Sequence, residues 1–186
     1  SVGRTGTTAR GMCHPKQLAR LAAVCARPGG VDAVMLSVGV NHVLCAHSPA
    51  RYAAELEEML RTLRGVVGPR CVVVCNSVPP MHRFPRVTAG VMAWVPLLPL
   101  YMWRNVTLLS AAARRVCEET RAELGVRFFS LSFFDTMEVE PAAMMEHFFA
   151  PDGFHPRAEG MDEHWTPPVA ALVMDVLREQ GKLAEA

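Results

Sequence analysis

Asp152 and His155 stand three residues apart in "FFAPDGFHPRAEG", between an apolar run and a new helical stretch. An imidazole held by a nearby carboxylate is the base half of a serine or cysteine hydrolase site: the acid orients the ring and stabilises the imidazolium formed when the base takes a proton. Asp-Gly makes a turn, and His-Pro fixes an extended residue ahead of a helix, so one short loop can project both side chains. As ordinary turn and helix-start residues the same pair would carry no chemistry. The choice depends on what stands elsewhere in the chain.

Two other stretches have residues suited to stabilising negative charge. In "SVGVNH", Gly39 lets the backbone turn sharply off a strand, and the Asn41 amide is a donor of the kind that stabilises an oxyanion, unless both are simply turn residues. In "GRTGTTA", Gly6 can present a backbone N–H to the same charge, whereas a phosphate loop would need a Lys-Ser/Thr that is absent. The remaining histidines show neither H-E-x-x-H nor another compact ligand spacing, so no metal is expected. The metal alternative open to the sequence combines His42 or His47 with Asp152 and His155.

Such residues need a scaffold, and the chain alternates helical and strand patterns. "HPKQLARLAAVCARPGG" has Pro15 in a first helical turn and a Pro-Gly-Gly stop, followed by "DAVMLSVG" as a buried strand. "SPARYAAELEEMLRTLRGVVG" has Ser48 as N-cap, and "CVVVCN" is the next strand. "NVTLLSAAARRVCEETRAELG" is a helix closed by Gly125 and followed by "VRFFSL"; a last helical region is broken near Pro167 and Pro168. Strands joined by crossover helices imply a parallel sheet, whose ligands bind beyond the strands' carboxyl ends. "GVNH", "NSVPPMHRFP" and the segment leading to "DGFHP" follow the three strands in turn.

Composition narrows the function classes. A chain of 186 residues with 51% hydrophobic residues and a formal net charge of +1 reads as one packed domain, 1–186. Its scattered basic residues offer no footprint for nucleic acid or an anionic membrane. The stretch from Gly90 to Trp103 is too short for a spanning helix and is interrupted by Pro96 and Pro99; it packs on the sheet or, alternatively, lines an acyl pocket or rests on lipid. The six cysteines read as buried free thiols, compatible with a cytoplasmic protein; Cys71 and Cys75 share a strand face roughly 13 Å apart, too far for a disulfide. Neither compartment nor oligomeric state follows from the sequence.

Taken in order, "RTGTTA", "MLSVGVNHV", "VPPMHRFP" and "FFAPDGFHPRAEG" resemble the SGNH (GDSL-type) hydrolase superfamily, its bacterial-type esterase branch in particular, over essentially the whole chain. The resemblance implies a flavodoxin-like three-layer α/β/α fold with a parallel sheet, and hydrolysis of small-molecule or lipid carboxylic esters through a serine nucleophile without a cofactor. It makes His155 the general base, Asp152 its orienting acid, and Gly6 and Asn41 the oxyanion-hole donors, with Gly39 and His42 in the supporting loop. His42 stands where the family usually has an aspartate. The family's Gly-Asp-Ser block has no counterpart; counting back from Gly6, it is expected upstream of Ser1, together with one or more N-terminal strands. Ser37, in a strand expected to be buried, Ser48, Ser77, Ser110, Ser130 and Ser132 all lack that block's turn context. The alternative is an inactive binding or interaction protein that keeps the fold.

Overall fold

In the computed structural model, residues 7–88, 95, 97–131, 148–153 and 155–182 are described. In chain order the elements are α1 (Ala9–Met12), α2 (Pro15–Cys25), β1 (Ala33–Leu36), α3 (Val40–Leu44), α4 (Pro49–Val67), β2 (Val72–Asn76), a 3-10 turn (Met81–Arg83) and α5 (Pro85–Thr88). There follow α6 (Leu98–Glu119), α7 (Arg121–Leu124), β3 (Val126–Phe129), α8 (Ala158–Gly160), a π-helical turn (Met161–Trp165) and α9 (Thr166–Glu179). The chain divides into two compact units, Ser1–Val78 with Leu108–Ser130, and Pro79–Thr107 with Leu131–Ala186.

The first unit contains a parallel sheet of order β1-β2-β3, with helices on it in a three-layer α/β/α arrangement. Ala33 to Leu36 pair with Val72 to Cys75, and Val73 to Asn76 pair with Val126 to Phe129. β2 is central, and all five of its residues are buried, which is why "VVVC" is continuously apolar instead of alternating. α4 turns Tyr52, Leu56, Met59, Leu60 and Leu63 inward at helical spacing. Its start is capped as the sequence predicts: Ser48 Oγ accepts from the Arg51 N–H at 3.2 Å, and Pro49 occupies the first turn.

Three boundaries differ from expectation. α6 begins at Leu98, seven residues before the predicted Asn105, because Pro99 lies in its first turn, where the missing N–H costs nothing. Pro167 and Pro168 likewise open α9; the irregularity lies just before them, in the π-helical turn. Ser37 lies past the end of β1 and is exposed, because the strand stops at Leu36.

The second unit packs its buried aromatic residues around the loop that carries Asp152. Phe149 lies against Phe84 and Phe148, with ring centroids 4.8 and 4.9 Å apart. Gly160 sits so close to this cluster that a Cβ there would lie 2.7 Å from the Phe148 Cα. The Gly90–Trp103 stretch is described in part: Leu97, Leu100, Tyr101 and Trp103 are exposed and Met102 is buried. Those four residues therefore do not show the packing expected for the stretch. No helix among the described residues is long and apolar enough to cross a membrane.

Candidate active site

The Asp152–His155 loop is built by local hydrogen bonds. Phe149 and Pro156 form an antiparallel bridge, the Ala150 N–H donates to the His155 carbonyl at 2.7 Å, and the Arg157 N–H to the Phe148 carbonyl at 2.8 Å. At the tip, the Gly153 N–H donates to the Ala150 carbonyl, and Gly153 takes a φ of 65°, as an Asp-Gly turn favours. This closed loop faces Asp152 back onto His155. Oδ1 accepts the His155 backbone N–H at 3.0 Å, and Oδ2 lies 2.6 Å from the imidazole Nδ1.

A carboxylate on Nδ1 selects the tautomer with its hydrogen there, so that Nε2 carries the lone pair a general base uses. Both side chains are well exposed, as a group that must meet a substrate requires. Arg86, the residue directly after the "VPPMHRFP" segment, supports the loop: its N–H donates to the Gly153 carbonyl at 3.2 Å, and its guanidinium lies 3.4 Å from the Asp152 carbonyl. From within the segment, Phe84 packs on Phe149 at the base of the loop. Arg86 carried no signal in the sequence, since a lone arginine after a proline turn resembles any surface residue.

The second group lies at the end of β1. Gly39 has a φ of 123°, and a Cβ there would meet Val78 Cγ2 at 2.4 Å, so both conformation and space demand glycine. The sharp turn it permits leads directly into α3, which begins at Val40, so Asn41 sits in the first turn of a short helix instead of in a loop. Asn41 Nδ2 donates to the Thr7 carbonyl at 2.8 Å. That bond uses one of two amide hydrogens, and it ties the asparagine to the residue following Gly6. Gly6 itself lies outside the described residues.

His42 is fully buried and hydrogen-bonded through Nε2 to Glu55 Oε2 at 3.1 Å, while Arg51 donates to Glu55 Oε1 at 2.8 Å. The Tyr52 ring packs edge-on against His42, and its hydroxyl lies 3.4 Å from the Val38 carbonyl. α4 thus takes over the support of the loop. Burial pulls the His42 pKa down against the opposing pull of Glu55, which favours the neutral ring. Burial alone would raise Glu55, but the hydrogen bonds from Arg51 and His42 outweigh it and hold the carboxyl below its ordinary value. Tyr52, Glu55 and Arg51 were not singled out from the sequence. The available signal was an acidic residue on the apolar face of α4, one turn from Tyr52.

The described serines are engaged elsewhere or lie at strand ends. Ser37 Oγ lies 3.4 Å from Asn76 Nδ2, Ser48 caps α4, Ser110 Oγ accepts the Val78 N–H at 3.1 Å, and Ser77 is buried just past β2. Ser132 lies outside the described residues.

A parallel α/β/α sheet and, on a late loop, a histidine held by a carboxylate are the chemical features of the scaffold. Comparison with family models resolves it further: residues 1–163 match the GDSL-like Lipase/Acylhydrolase family, and the chain belongs to that family. The match runs through both units, and the family acts on small ester substrates. A comparison with curated proteins found no match.

Proposed function

We propose that the protein hydrolyses carboxylic esters of small-molecule or lipid type by a serine mechanism in which His155 is the general base and Asp152 its orienting acid. The observation that carries this reading is the 2.6 Å contact between Asp152 Oδ2 and His155 Nδ1 on an exposed loop. Asn41 and the Gly6 N–H are the oxyanion donors, and Gly39, His42 and α4 keep Asn41 in place. The nucleophile is the serine of a Gly-Asp-Ser block on polypeptide preceding Ser1.

In this mechanism His155 Nε2 takes the serine proton as Oγ attacks the ester carbonyl, and the tetrahedral oxyanion is held by Asn41 and Gly6. Collapse expels the alcohol, which leaves with the proton from His155. A water, deprotonated by the same nitrogen, then releases the acid and restores the serine. No metal takes part in these steps.

The test uses the protein with its native upstream sequence and a short-chain p-nitrophenyl ester. His155→Ala and Asp152→Asn are each expected to lower kcat by about 10³–10⁴-fold. Their effect on stability should stay within about 1 kcal/mol, because the pair is exposed. Near-normal turnover in His155→Ala would refute the assignment. Saturable binding of acylated ligands without turnover in the unmodified protein would replace it with the binding-protein reading.

A further inference from the structure

The support beneath Asn41 has a donor set that ester hydrolysis does not use. His42, His47 and Glu55 each offer one ligand atom, and these atoms all lie within 4.8 Å of one another. α3 ends in a left-handed turn at Ala46, with a φ of 54°, which brings the His47 N–H back onto the His42 carbonyl at 2.9 Å. That fold-back sets the two imidazoles edge to face, with centroids 5.1 Å apart. His42 is fully buried, and the Nδ1 atoms of His42 and His47 are buried without a hydrogen-bond partner among the described residues. Glu55 Oε1 is held by Arg51, which leaves Oε2 directed at His42.

We propose that His42, His47 and Glu55 form a binding site for a divalent transition cation of the zinc class, which clamps α3 to α4 beneath Asn41. Two imidazoles and one carboxylate are a common three-residue donor set for zinc, with a water completing four-coordination. In a tetrahedron with bonds of about 2.0–2.1 Å, neighbouring ligand atoms lie about 3.4 Å apart. The 3.1 Å between His42 Nε2 and Glu55 Oε2 is already close to one such edge. His47 is only partly buried, so its ring has room to close the other two and admit the water. Arg51 plays the outer part, fixing which carboxylate oxygen remains available. The donor set shares no residue with the Asp152–His155 pair, so its failure would leave the ester reading untouched.

The experiment uses the whole chain, freed of metal by a chelator and kept reduced, and titrated with Zn²⁺ alone; Co²⁺ serves as the spectroscopic probe. The expected result is saturable one-to-one binding at micromolar concentration or below, a rise in the unfolding midpoint that saturates with the metal, and four-coordinate Co²⁺ bands without thiolate charge transfer. His47→Gln, at the partly buried position, should weaken binding at least about 10-fold. His155→Gln should leave binding unchanged. Absence of saturable binding would overturn the proposal, as would binding that survives His47→Gln or disappears in His155→Gln.

Discussion

His42 ties α3 to α4 through one buried pair. An aspartate at this position would place a carboxylate in a fully buried site facing Glu55 Oε2. Two buried carboxylates in contact disfavour one another's ionised form, and the hydrogen bond from the ring is lost as well. His42→Asp is therefore expected to destabilise the protein by about 3–5 kcal/mol, the range for disrupting a buried pair. Combining it with Glu55→His reverses the direction of the pair and should recover part of that loss. Urea denaturation of the two single variants and the double variant gives the coupling directly. Additive losses would mean that His42 and Glu55 stabilise the loop independently.

At the scale of elements, the end of α3 is under strain. The His47 N–H to His42 carbonyl bond and the Ala46 N–H to Val43 carbonyl bond, 2.9 and 3.1 Å, are those of a Schellman motif, and the position that favours glycine holds Ala46. A non-glycine residue there costs about 1–2 kcal/mol, of which glycine's larger unfolded-state entropy returns about 0.4–1 on substitution. Ala46→Gly should thus stabilise by about 0.5–1 kcal/mol, read as a higher urea midpoint at unchanged m-value. A lower midpoint would show that the alanine methyl group makes packing contacts that outweigh the strain.

This turn also marks where the sequence stopped being legible. Long periodic elements such as α4, and strands such as "CVVVCN", carry their signal over many residues, with Ser48 and Pro49 fixing a start. α3 is five residues long, too short for periodicity to register, and what defines it is a tertiary demand on Gly39. The early start of α6 was hidden because its first turn is uniformly apolar and contains a proline. Of the site, Asp152 and His155 were legible as a local spacing. Glu55 was not, because a charged residue on a core-facing helix position has meaning only once its partner, 13 residues earlier, is known to lie beneath it.

For the molecule as a whole, the sheet has a consequence at its edge. β2 pairs on one side of β1, and among the described residues no strand pairs on the other. Met35 is 40% exposed, and it lines a groove of about 500 Å³ whose wall is mostly apolar, with Leu18, Leu21, Val24 and Val34 beside the polar Gln17 and Arg27. An unpaired apolar edge is a template for pairing with another chain, and with a net charge of only +1 little long-range repulsion opposes the encounter. The 186-residue polypeptide is therefore expected to self-associate as its concentration rises, by light scattering on a sizing column. A lysine on the edge places a hydrated charge where a second strand would lie, so Met35→Lys should lower the associated fraction several-fold at equal total concentration. Association that is unchanged in Met35→Lys would shift responsibility to another surface. The exposed start of α6, where Leu97, Leu100 and Trp103 are each at least half accessible, would then be the next position for a charge.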